Sequence, residues 1–127
     1  GIEEARHQPV VADAKTFLSG NSERFDLIIV DPPAFAKSRH LTNNALHAYS
    51  HLNAAAIRSL SPGGKLFTFS CSQPVSREMF RSALHSAAIL AGRPVRILHQ
   101  LSQGPDHPVS LFHPESEYLK GFILEAE

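Results

Sequence analysis

The sequence predicts an α/β fold with a mostly parallel sheet and an antiparallel C-terminal strand, on three observations. Phe25-Asp26-Leu27-Ile28-Ile29-Val30 is a continuous, β-branched apolar run of the kind buried on both faces of a parallel sheet, and Asp31-Pro32-Pro33 stops it. Lys65 to Cys71 is a second core strand, carrying Leu66, Phe67 and Phe69. Between the two, from about Asn43 to Leu60, the residues Leu46, Tyr49, Ala56, Ile57 and Leu60 fall at helical spacing until Ser61-Pro62-Gly63-Gly64 ends the helix.

The remaining elements follow in order. Pro9-Val10-Val11-Ala12-Asp13 reads as a short strand running into a turn, and Ala14 to Leu18 as one or two helical turns before Ser19-Gly20-Asn21. After the second core strand, Ser76 is an N-cap with Val75 and Phe80 placed as a hydrophobic staple, and Gly92 with Pro94 ends that helix. Val95 to Leu101 and Tyr118 to Leu124 are the last strands. The polar loop between them is too short for a crossover helix, so they are expected to run antiparallel.

Composition narrows the class. The 127 residues are 43% hydrophobic and 19% charged, which suits one domain with one core rather than a disordered chain. Twelve basic and twelve acidic residues cancel, so no global field announces a nucleic-acid or membrane partner. One cysteine cannot form an internal disulfide, and it leaves scattered histidines without metal-ligand spacing. No apolar run of about 18 residues is present and Gly1-Ile2-Glu3-Glu4 is no signal peptide, so the cytoplasm is the expected compartment.

Two strands joined by one right-handed crossover helix are neighbours in a parallel sheet, which sends Asp31-Pro32-Pro33 and Ser70-Cys71-Ser72 out at the same carboxyl edge. A carboxylate, a turn stiffened by two prolines and a thiol then share one cleft, and these are parts for nucleophilic or acid/base chemistry. Each residue taken alone has a plainer role. Asp31 serves equally as an acceptor of turn hydrogen bonds, and Cys71 as a small buried hydrophobe.

Asp31-Pro32-Pro33-Ala34-Phe35 after a hydrophobic strand, Pro62-Gly63-Gly64 before the next and Ser70-Cys71-Ser72 at its end resemble the second half of class I, Rossmann-like S-adenosylmethionine (SAM) methyltransferases. Asp106-His107-Pro108-Val109, Pro114-Glu115 and Tyr118-Leu119-Lys120-Gly121-Phe122 are similar to the C-terminal signature of the bacterial ribosomal RNA large-subunit cytosine-C5 methyltransferases with an N-terminal PUA domain. The resemblance covers essentially the whole chain and implies SAM as cofactor and ribosomal RNA as partner.

It also implies roles. Carbon 5 of cytosine is a poor nucleophile, and a thiolate added to carbon 6 converts the ring into an enamine that attacks the cofactor's methyl group. Cys71 is then the covalent nucleophile, with Asp31 holding the cytosine at N3 and the exocyclic amine. Asp13, Ala14, Asp31 and Pro32 fall at cofactor-binding positions, although Asp13 is also placed to cap the short helix. Pro33, Phe35, Lys37 and Arg39 fall on the substrate side. Phe35 either stacks on the target base or plugs the core, and Lys37, Arg39 and His40 either meet phosphates or sit in a solvated loop. A branch of these enzymes uses a second cysteine after the Asp-Pro strand for product release. This chain has Ala34 and Phe35 there, so release is expected without a second thiol.

The Gly-rich loop that cradles the methionine part of the cofactor, and the strand with the ribose-binding acid, do not occur in this sequence. Gly1 to Ala5 resembles the tail of the helix before the third strand of the fold, so the chain is expected to be the C-terminal part of a methyltransferase domain. In the family's sheet order the absent first and second strands lie between the third strand and the fourth, so Val10 to Asp13 is expected to lose its neighbours and one edge of Phe25 to Asp31 to be bare, an edge expected to recruit a partner, a second copy included. An amino-group methyltransferase on adenine or guanine, with Cys71 structural, remains open, as does a non-catalytic RNA- or protein-binding α/β module. A Cys-His hydrolase has no spacing in its favour.

Overall fold

The computed structural model describes residues 6–36, 38–113 and 116–127. Its elements are α1 (Ala14–Ser19), β1 (Phe25–Val30), α2 (Thr42–Arg58), β2 (Leu60–Ser70), α3 (Arg77–Ala91), β3 (Val95–Ser102) and β4 (Lys120–Ala126), with a 3-10 turn at Arg39–Leu41 before α2. The sheet has the order β1-β2-β4-β3. β1 pairs parallel with β2, while β4 runs antiparallel to both β2 and β3, so three strands point one way and the last is reversed. This is the mixed α/β sheet expected from the strand and helix spacing.

Alternation along the strands decides which face is covered. Leu66, Thr68 and Ser70 of β2 and Phe122, Leu124 and Ala126 of β4 are all buried, and α2 and α3 supply the apolar cover. An aromatic chain runs through that layer, with ring centroids 4.6 Å apart from Phe35 to Tyr49, 5.3 Å from Tyr49 to Phe80 and 5.8 Å from Phe80 to Phe122. α3 begins and ends as its residues dictate. Ser76 Oγ accepts from the Met79 amide at 3.1 Å, Val75 and Phe80 on either side of the cap are fully buried, and Gly92 ends the helix at φ 67°.

Four sequence expectations are corrected. Pro9 to Asp13 forms no strand. An extended segment needs a neighbour for its amides and carbonyls, and no strand lies beside it among the described residues, so Val10 and Val11 are exposed. β1 is covered on one face rather than two: Ile28 packs against the core and Val30 lies within it, whereas Leu27 and Ile29 are 54% and 63% exposed.

β2 starts at Leu60, five residues before the expected Lys65, through an irregular stretch between the Phe25–Leu60 and Leu27–Lys65 pairs. The Pro-Gly-Gly turn permits it, because Gly63 takes φ 78° and a Cβ on Gly64 would stand 2.9 Å from the Ser61 carbonyl oxygen. β4 starts at Lys120 rather than Tyr118 because the Gln103 side-chain oxygen accepts from the Tyr118 and Leu119 amides at 3.1 and 3.3 Å, taking the place of strand pairing. Gly1 to Ala5 and Pro114-Glu115 lie outside the described residues.

Candidate functional site at the carboxyl edge of the parallel strands

β1 and β2 are hydrogen-bonded in register from Leu27–Lys65 to Val30–Thr68, so their chains leave the sheet side by side. A third element then ties the two exits together. Ser72 Oγ accepts from the backbone amides of Phe35 at 3.0 Å and Ala36 at 3.2 Å, and meets the Tyr49 hydroxyl at 2.6 Å. With both lone pairs taken by amides, the Ser72 hydroxyl proton goes to Tyr49. Ser70 Oγ donates to the same phenol at 2.9 Å, and Ser70, Ser72 and Tyr49 are all fully buried. The Asp31-Pro32-Pro33-Ala34-Phe35 loop and the Cys71 loop are therefore one hydrogen-bonded unit seated on α2.

A second buried bond lies below. Thr68 Oγ1 donates to Asn53 Oδ1 at 2.6 Å, and Asn53 Nδ2 donates to the Tyr49 carbonyl at 2.8 Å. On the far side of β2, Lys120 opposes Ser70 and its Nζ donates to the Ser72 carbonyl at 2.7 Å. Each buried side-chain nitrogen and oxygen of this network has at least one hydrogen-bond partner, which is the condition for a polar cluster to hold a single geometry inside a core.

Six of the sequence-selected residues converge. Asp13, Ala14, Asp31, Pro32, Pro33 and Phe35 line one cleft of about 890 Å³ between α1, the end of β1 and α2. Cys71 does not line it; the thiol is partly exposed on the neighbouring loop and connects to the cleft through Ser72. Lys37 and the side chain of Arg39 lie outside the described residues. Asp106 and His107 sit on an exposed turn, paired with each other at 3.5 Å, and do not reach the cleft.

Asp13 caps α1, as one reading of it expected: its Oδ2 accepts from the Thr16 amide at 3.0 Å and from Thr16 Oγ1 at 2.9 Å. Those bonds hold its carboxyl below the usual range. Phe35 packs against Tyr49 while also lining the cleft, so its packing role and an accessible face coexist.

Sequence reasoning missed four positions. His47 and His51 of α2 line the cleft with ring centroids 4.2 Å apart, and their i, i+4 spacing was the available signal. Ser72 and Lys120 were visible only as parts of longer motifs, since their contacts span 23 to 48 residues. His51 is held below its ordinary value of 6.5, first by desolvation and then by the nearby charges of His47, Lys15 and Arg58.

A depressed histidine favours the neutral form in the fold, so stability is lost as pH falls through about 6.5, where the unfolded chain takes up the proton first. Urea midpoints at pH 7.5 and 5.5 are expected to differ less in His51→Gln than in wild type. An unchanged difference would show that His51 is not the group responsible.

The comparisons with known proteins can be set against this geometry. The chain superposes on a proposed SAM-dependent methyltransferase from Streptococcus mutans with a TM-score of 0.77 at 20% identity, covering 98% of this chain and 32% of that one. A proposed methyltransferase complexed with SAH gives 0.79 at 22% identity, covering 98% and 33%. The fold is that of the SAM-dependent methyltransferases. The TrmN structure from Thermus thermophilus shares this methyltransferase fold at a TM-score of 0.57 and 20% identity, over 93% of this chain and 28% of that one.

In sequence, the chain is 46% identical over 104 residues to ribosomal RNA large subunit methyltransferase I of Pseudoalteromonas atlantica, covering 82% of this chain and 26% of the relative. The protein of the same name from Aeromonas salmonicida is 42% identical over 104 residues, with 82% and 26% covered. That from Salmonella paratyphi B is 44% identical over 102 residues, with 80% and 25% covered. The chain thus spans about a quarter of the length of the curated relatives it matches. No family model matches it.

Proposed function

We propose that this chain is the C-terminal part of a SAM-dependent ribosomal RNA methyltransferase, working in the cytoplasm and directing a methyl group to carbon 5 of a cytosine. The observation that carries the proposal is the Ser72 tie, which holds the Asp31-Pro32-Pro33-Ala34-Phe35 loop and the Cys71 loop at one sheet edge. The names and identities of the relatives support the RNA substrate.

The cleft fits the adenine half of the cofactor. Ala12, Ile28 and Leu52 give apolar walls for a ring, and the Asp13 carboxylate is an acceptor at the rim for an exocyclic amine. Asp13, Ala14, Asp31 and Pro32 would hold that half. The bound cofactor supplies an electrophilic methyl on a sulfonium. The chain's own part is to present the base: Asp31 accepts from or donates to the cytosine edge, Pro33 and Phe35 face the ring, Lys37 and Arg39 meet phosphates, and the Cys71 sulfur adds to carbon 6.

Nucleoside mass spectrometry on ribosomal RNA treated with the complete protein and SAM tests this reading. 5-Methylcytidine is expected with wild type and not with Cys71→Ser. A methylated purine with both proteins would replace it by amino-group transfer. The position of Cys71 outside the cleft wall is the one feature that favours that second reading.

The uncovered side of β1 belongs to the same proposal. With Leu27 and Ile29 exposed on an edge strand, the isolated chain is expected to self-associate and to bind SAM weakly. Sedimentation should give a dimer or larger species that Ile29→Lys disperses. A monomeric wild type that titrates one-to-one and tightly with SAM would contradict this.

A further inference from the structure

We propose that Lys120 is a positioning residue for Cys71, its buried ammonium holding the Cys71 loop and stabilising the thiolate form of the nucleophile. The inference rests on the cysteine-based reading above. Lys120 is the first residue of β4 and opposes Ser70, the last residue of β2, while its Nζ reaches past Cys71 to the Ser72 carbonyl at 2.7 Å. Lys120 therefore brackets Cys71 along the chain, its side chain bonded to the residue after it and its backbone paired with the residue before it.

Lysine is rarely placed in a core, because removing an ammonium from water is costly, yet Lys120 is only 4% exposed. An ammonium has three donors, and the Ser72 carbonyl takes one of them. A plain structural tie to a carbonyl needs no charge, whereas a thiolate on the residue adjoining that carbonyl makes use of one.

Among the described residues, three charged or titratable groups act on Lys120. Desolvation pulls its pKa below the ordinary value of 10.5, the Cys71 and Glu117 interactions push it up, and Arg77 pushes it down. Arg77, in the first turn of α3, is itself engaged, donating to the Leu101 carbonyl at 3.0 Å and lying over the Phe122 ring. Glu117 lies on the loop before β4. In the proposed step the Cys71 S–H gives its proton to solvent, and the sulfur anion left behind is balanced by Lys120 until it adds to carbon 6.

Cys71 is the single cysteine of the chain, so alkylation by iodoacetamide reports on it alone. The informative quantity is the rate at pH 7 divided by the rate at pH 10, because a change in access scales both rates while a change in thiolate fraction scales only the first. That ratio is expected to fall roughly tenfold in Lys120→Met and to be largely kept in Lys120→Arg. An unchanged ratio in a folded Lys120→Met, judged by circular dichroism, overturns the proposal.

If Lys120→Met does not fold, wild type is compared with a peptide of residues 69–74. A wild-type ratio no higher than the peptide's also overturns it. Because neither measurement involves methyl transfer, a purine product in the mass spectrometry would remove the cysteine mechanism without altering the alkylation result.

Discussion

Replacing Cys71 by alanine in the complete protein is expected to abolish cytosine methylation, with kcat/KM reduced on the order of 10⁴-fold or more, the scale of loss when a covalent nucleophile is removed. The argument is chemical. Carbon 5 of cytosine does not attack a methyl sulfonium unless carbon 6 carries a nucleophile, and no other thiol exists in this chain to replace Cys71. Stability should hardly change. The thiol is partly exposed and makes no hydrogen bond that the buried network depends on, so a shift beyond about 0.5 kcal/mol is not expected. Kinetics and a thermal melt on the same preparation separate the two. A folded Cys71→Ala enzyme that still makes 5-methylcytidine would remove the thiol from the mechanism.

Ser72→Ala is expected to damage both stability and activity. It removes the acceptor of the Phe35 and Ala36 amides and a partner of the Tyr49 hydroxyl, in a cluster whose Tyr49, Ser70 and Ser72 are fully buried. Leaving such groups without partners costs about 2–4 kcal/mol in all, which lowers Tm by roughly 10 °C in a chain of this size. Activity should fall further than occupancy of the folded state explains, because the Asp31 loop and the Cys71 loop lose their common anchor. Tyr49→Phe is the control: it removes the phenol while leaving Ser72 on both amides, so it should lose stability with a smaller loss of activity. Equal effects of the two substitutions at saturating folded protein would show that the tie does not align the loops.

Much of the frame is legible because its signals are local. Phe25 to Val30 declares a strand through an apolar, β-branched run within six positions. Ser76 and Gly92 mark the ends of α3 through bonds and dihedrals that involve only residues within four positions. Asp31-Pro32-Pro33 and Ser70-Cys71-Ser72 announce a shared sheet edge through connection rules, and the parallel β1–β2 pair places them there.

What the sequence determined by itself is therefore the order of elements, the antiparallel last strand and the residues gathered at the carboxyl edge. Tertiary structure alone decided the rest. Whether Pro9 to Asp13 becomes a strand depends on a neighbour to bond its backbone, and whether Leu27 and Ile29 are buried depends on a layer over them. The starts of β2 and β4 were moved by a glycine turn and by the Gln103 side chain. Tyr49, Ser72 and Lys120 read in sequence as a helix-face aromatic, a strand-end hydroxyl and part of a terminal motif. They become a network only when β2, α2 and β4 bring together groups dozens of residues apart, because buried hydrogen bonds are set by distance in space and carry no period along the chain.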